Sequence, residues 1–192
     1  MRSFDPRAVG TRECRAWETY YRREWRAFLV ASVGMVRAGF GMSWWRTLLG
    51  AWLVLRANQL WAPYPDNDPD RCRALMRRFY QLVARSAREP FSPTRAAELE
   101  VEWWRAHRED QRGTHAGPET ARALTDALRN LYSYVYGVPS ADVALAAALR
   151  AEAMDVSDAW VDAGCDPADP RLAHERALLV RSYAALLAAV HR

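Results

Sequence analysis

The sequence predicts an all-α fold: a single-domain bundle of about seven helices, residues 1–192, around an aromatic-rich core. Three observations carry that expectation. Apolar residues recur at helical spacing from end to end, clusters of Pro, Gly and Asp interrupt the pattern at intervals, and no stretch alternates in the way a half-buried strand does. At 192 residues, 51% hydrophobic, the chain is long enough to bury a core without disulfide or metal staples. Nine Trp, eight Tyr and five Phe make much of that core aromatic, with N–H and O–H groups that need partners.

The expected helices are 12–38, 43–62, 69–88, 94–111, 119–136, 140–163 and 170–191. In the first, Trp17, Tyr20, Tyr21, Phe28 and Met35 define an apolar arc with Glu24 at its middle. The second is apolar on most sides through Trp44, Trp45, Leu48, Trp52, Leu55, Leu60 and Trp61, which suits the centre of a bundle. The third starts at Asp68-Pro69, an N-cap acid before a proline at the first helical position, and packs Cys72, Leu75, Met76, Phe79, Leu82 and Val83. In the fourth, Glu100 and His107 fall within about 20° of each other at 100° per residue, with Trp103 and Trp104 astride that direction.

The fifth helix buries Leu124, Leu128, Leu131, Tyr132 and Val135. The sixth begins at Ser140, after Pro139, and sets Glu152 inside an arc of Leu145, Leu149, Val156 and Trp160, with Asp155 at its edge. The last follows Asp169-Pro170 and places Arg176 among Leu172, Leu179, Tyr183 and Val190. Loops are expected at 63–68 and 112–118.

All 27 basic residues are Arg, and Lys and Ile are both absent, as coding from a GC-rich genome would produce. The net charge of +4 is therefore a weak pointer to nucleic acid, and with no recognisable binding motif no such partner is expected. Cys14, Cys72 and Cys165 are odd in number and form no CxxC pair, which fits buried thiols in a reducing cytoplasm. The N-terminus is too polar for a secretory signal. Residues 38–55 carry Arg46 near their middle, so they read as a core helix and not as a membrane span.

Ionisable residues thus point inward from several helices, where burial is costly unless they are paired. One reading is a structural ion-pair network in which Arg176 neutralises Glu152 or Glu100. A second is a metal centre held by Glu24, Glu100, His107, Glu152 and Asp155, because carboxylates and imidazoles from facing helices are how bundles hold two metals. The Glu-x6-His spacing of Glu100 and His107 resembles one ligand pair of the haem-oxygenase-like di-iron oxidases, with Glu152 as the next carboxylate. The bundle precedent points to iron or manganese, and the resemblance implies iron. It covers three residues, and the later His/Asp/His set of that family is not matched where His174 is followed by Leu178 and Arg181. A third reading is metal-free acid-base chemistry by Glu100, His107, Glu152 and Arg176, since desolvation raises a carboxyl pKa and a neighbouring cation lowers it.

Asp66, Asp68 and Asp70 lack the Gly and Glu of a calcium loop, and Asp155, Asp158 and Asp162 lack a second aspartate motif. There is no P-loop, GxGxxG, GxSxG or HExxH. The expectation is a cytoplasmic small-molecule pocket protein, in its catalytic form a metal-dependent or acid-base enzyme acting on an apolar substrate. The alternative is a helical interaction module, an adaptor or a homodimer, whose exposed aromatics complete a protein partner's core. An enclosed polar cavity favours the former and an exposed aromatic patch the latter.

Overall fold

Proline and acidic caps start most of the eight helices of this computed structural model, which describes residues 1–112 and 117–192. Helix α1 (Pro6–Tyr21) begins where the Asp5 carboxylate accepts from the Arg7 amide at 2.9 Å. Helices α2 (Trp25–Phe40) and α3 (Trp44–Trp61) are separated by Gly41, whose φ of 59° suits glycine at a helix C-terminus. Helix α4 (Pro69–Ala87) starts as expected, with Asp68 accepting from the Arg71 amide at 3.0 Å. Helices α5 (Pro93–Arg112) and α6 (Pro118–Tyr136) follow, and of the loop expected at 112–118 residues 113–116 lie outside the described ones. Helices α7 (Ala144–Asp162) and α8 (Arg171–Val190) complete the chain, Asp169 accepting from the Arg171 amide at 2.8 Å. No strand occurs among the described residues.

Eight helices form because the expected helix 12–38 is two. Arg23 adopts a left-handed φ of 59° between α1 and α2, at about 1–2 kcal/mol for a side-chain-bearing residue. Its guanidinium compensates by lying over the rings of Tyr20 (5.2 Å) and Trp25 (5.7 Å) and donating to the Ala62 carbonyl at 3.2 Å. No Gly or Pro marks the break, and the apolar period runs through it. The helix expected at 140–163 starts later, because residues 140–143 form a turn.

Each helix packs on the next, α1 on α2 through α7 on α8, and α8 packs back on α1. The eight therefore close into a ring. The closure depends on Gly10, where a Cβ would lie 2.7 Å from the Val180 amide nitrogen and 2.9 Å from the Leu179 carbonyl carbon. Only a hydrogen at that position lets the α1 and α8 backbones approach so closely.

Helix α3 is not the bundle's centre. Its inner side, through Ala51, Val54, Leu55 and Ala57, packs into the core, while Trp44, Trp45, Leu48, Leu49 and Trp52 face solvent. The centre of the ring is the site described next. Among the described residues, no helix is long and apolar enough to cross a membrane.

Candidate functional site

A cavity of about 170 Å³ lies inside the ring, and every helix contributes to its wall. Glu13 comes from α1, Phe28 from α2, Val54 from α3, Tyr80 from α4, Glu100 from α5, Tyr132 from α6, Arg150 from α7 and Tyr183 from α8. Most of the remaining wall is aromatic or aliphatic, including Trp17, Phe40, Met76, Phe79, Trp103 and Trp104.

Two hydrogen-bonded groups interrupt that apolar wall. Tyr80 donates its hydroxyl hydrogen to Glu100 Oε2 at 2.7 Å, and Trp104 Nε1–H donates to Glu100 Oε1 at 3.2 Å. Opposite, Arg150 donates to the Glu13 carboxylate and, at 3.1 Å, to the Tyr132 hydroxyl. The guanidinium also lies 4.8 Å from the Trp103 ring centroid, a cation–π contact that adds to its stabilisation.

Burial pushes the Glu100 carboxyl above the usual carboxylate range, with Arg150 and the Tyr80, Trp103 and Trp104 donors pulling it partly back. Burial opposes the charge on Arg150, but the Glu13 carboxylate beside it, together with Tyr132, Tyr183 and Glu100, outweighs that cost and holds the guanidinium above its ordinary pKa. Tyr80 is pushed up by burial and then by the Glu100 charge, so it stays a hydrogen-bond donor. With Glu13 and Arg150 neutralising each other, Glu100 is the carboxyl of this wall whose charged form burial disfavours.

Three polar atoms of the wall are buried without a protein hydrogen-bond partner: Glu13 Oε2, Arg150 Nε and Trp103 Nε1. Each such atom normally finds a partner when removed from water.

His107 belongs to a different place. The wheel projection correctly puts Glu100 and His107 on one side of α5, but seven residues of rise separate them by about 10 Å along the axis. Trp103 and Trp104 lie between. His107 lines a second, smaller cavity of about 90 Å³ with Tyr20, Tyr21, Trp61, Arg108 and Gln111, and the two cavities share Trp17, Phe28, Asn58, Trp103 and Trp104 as walls. There His107 Nε2 lies 3.1 Å from Asp158 Oδ2, and Gln111 donates to Asp158 Oδ1 at 2.6 Å, which ties α5 to α7.

The other expected residues stand outside both cavities. Glu24 sits in the α1–α2 break, where Arg22 pairs with it at 2.8 Å. Glu152, Asp155 and Arg176 are exposed. Burial still pushes the Asp155 carboxyl up somewhat, reinforced by the nearby acids Asp110 and Asp158. Glu24, Glu100, His107, Glu152 and Asp155 therefore share no centre, and among the described residues no group of three or more His, Cys, Asp or Glu could hold a metal ion. The expected convergence on an iron or manganese site fails for want of a donor set.

The residues that replace them are legible in retrospect. Ala146, Arg150, Ala153, Ser157 and Trp160 follow the 4-3-4-3 spacing of a packing stripe and are all buried. Small residues make the contact side of α7, while Leu145, part of the expected arc, is 62% exposed. On α8 the same small-residue logic turns Glu175 and Ser182 inward and leaves Arg176 outside. On α1 the inward acid is Glu13, in line with Val9 and Ala16.

Compared with known protein families, with curated proteins and with solved structures, the chain finds no match.

Proposed function

We propose that this chain binds a small, largely apolar molecule bearing one hydrogen-bonding end, and that the ligand occupies the cavity inside the ring. The observation that carries this reading is the composition of the cavity wall. An aromatic and aliphatic lining is broken by the ionisable Glu100 and by the paired Glu13 and Arg150. A preformed, mostly apolar pocket with a few convergent polar groups is the usual form of a small-molecule site. An apolar cavity of about 150 Å³ holds benzene, so a guest of benzene to indole size fits the space here.

In this account the apolar body of the guest rests on Phe28, Phe40 and Phe79, and its polar end meets Glu100, Arg150 and Trp103. The Glu100 carboxyl, raised by burial and already oriented by Tyr80 and Trp104, is placed to give or take a proton at that end. The catalytic form of the proposal is therefore acid-base chemistry without a metal, centred on Glu100. Among the residues expected to take part, His107, Glu152 and Arg176 have no place in it.

The test is a thermal-shift and equilibrium titration series with phenol, indole and toluene. Saturable binding of all three is expected, with phenol and indole at least tenfold tighter than toluene, and that preference lost in Glu100→Leu. Absence of saturable binding by all three would contradict the reading. The exposed aromatic face of α3 supports a second activity of a different kind.

A further inference from the structure

We propose that the outer face of α3, with the arginine-rich side of α4 beside it, docks on the surface of an anionic lipid bilayer. Trp45, Leu48, Leu49 and Trp52 stand at i, i+3, i+4 and i+7, one stripe of one helix, and all are exposed, Trp45 by 80%. Trp44 joins them from the first turn at 62% exposure. A soluble helix buries such a stripe. Here the stripe lies on the side of α3 away from the core, and among the described residues nothing covers it.

The charge around this stripe selects the occupant. Residues 25–65 contain four Arg and no acid, and residues 71–88 contain six Arg and no acid, whereas the rest of the chain holds 17 Arg against 23 acids. A groove beside Leu49 and Trp52 is rimmed by Arg56, Arg71 and Arg78, and Arg46 reaches from α3 to the Ser86 hydroxyl of α4. Among the described residues, Arg46, Arg77, Arg78 and Arg85 form no ion pair, and all four are exposed.

A second copy of this chain would set Arg46, Arg56 and Arg78 against their own counterparts, while Asp68, the acid beside the rim, is already paired with Arg71, which disfavours association. An anionic bilayer meets both features at once. Indoles and leucines sink to the boundary between headgroups and acyl chains, and guanidinium groups on their apolar stems reach lipid phosphates. Each such Arg near the surface adds about 1 kcal/mol. The helix would lie in the interface plane, in keeping with a chain in which no described helix can span.

The test is flotation of the full chain with vesicles of phosphatidylcholine alone and of phosphatidylcholine mixed with phosphatidylglycerol, with circular dichroism confirming the fold of each variant. Binding to the anionic vesicles, at least tenfold weaker on neutral ones and reduced by high salt, is expected. Trp45→Ser with Trp52→Ser should lower the partition at least tenfold. Arg77→Gln with Arg78→Gln should lower the dependence on anionic lipid. Equal partition of wild type and the tryptophan double variant would overturn the proposal. So would a concentration-dependent dimer that the double variant dissolves while vesicles go unbound, or equal affinity for a single-stranded oligonucleotide.

Discussion

Tyr80 of α4 and Glu100 of the neighbouring α5 are joined by a 2.7 Å hydrogen bond, hydroxyl to carboxylate, at the wall of the central cavity. The bond favours the ionised carboxyl against the burial that raises it. Tyr80→Phe should therefore raise the Glu100 pKa further. A carboxyl raised in the folded state loses stability as pH climbs from its unfolded value through its folded one, and the variant does so over a wider window. The difference between wild type and Tyr80→Phe should be small at acid pH and grow to about 1–3 kcal/mol once the carboxyl is ionised in both proteins. Denaturant unfolding at several pH values measures it; a difference that shrinks with rising pH would contradict the assignment.

Glu175 is fully buried between α8 and its neighbours, and neither carboxylate oxygen has a protein hydrogen-bond partner. Burial pushes this carboxyl up to about 8, with the Cys14 thiol and Ser157 hydroxyl nearby pulling it partly back. The folded state thus holds a proton that the unfolded chain releases above its ordinary pKa near 4.5. Stability should fall between about pH 4.5 and pH 8 and level off beyond. Glu175→Gln removes that slope. The variant should match wild type near pH 4 and exceed it by several kcal/mol, on the order of 3–5, at pH 9, as read by thermal unfolding across that range.

Arg150 and Glu13 form a buried pair, and removing one member strands the other. Arg150→Met and Glu13→Leu should each destabilise by about 3–5 kcal/mol, while the double variant should cost much less than their sum. A double-mutant cycle by denaturant unfolding checks the coupling. Additive losses would mean that the pair is not a unit.

Gly10→Ala should destabilise by about 2–3 kcal/mol, because its Cβ meets the α8 backbone, which cannot move aside locally. Gly34→Ala also makes a close contact, 2.6 Å, but to the side chain of Arg12, which can swing away. There the gain of alanine in a helix, about 0.5–1 kcal/mol, should leave stability equal or higher. Melting temperatures of the two variants separate the cases.

Helix content was readable from the sequence because proline and acidic caps such as Asp68-Pro69 act locally, and the structure uses them. The break at Arg23 was not, since a left-handed arginine held by two aromatic rings leaves no local signature. Glu100 was found because large residues flank it on the wheel. Glu13 and Arg150 were missed because alanine and serine, which define the close-packed sides of α1, α7 and α8, contribute little to a hydrophobic pattern read by size. Ring closure is also tertiary information: it sets the faces of eight helices around a common space, and no single helix records it.

The central claim is that the space inside the ring is a ligand site, and calorimetric titration of indole into wild type and into Val135→Phe tests it most directly. Val135 lines the cavity, and a phenylalanine there fills part of it. We expect one site per chain in wild type with a negative heat-capacity change, the mark of apolar burial, and at least a tenfold loss of affinity in a folded Val135→Phe. Equal binding by both proteins, or no binding by wild type, would contradict the account.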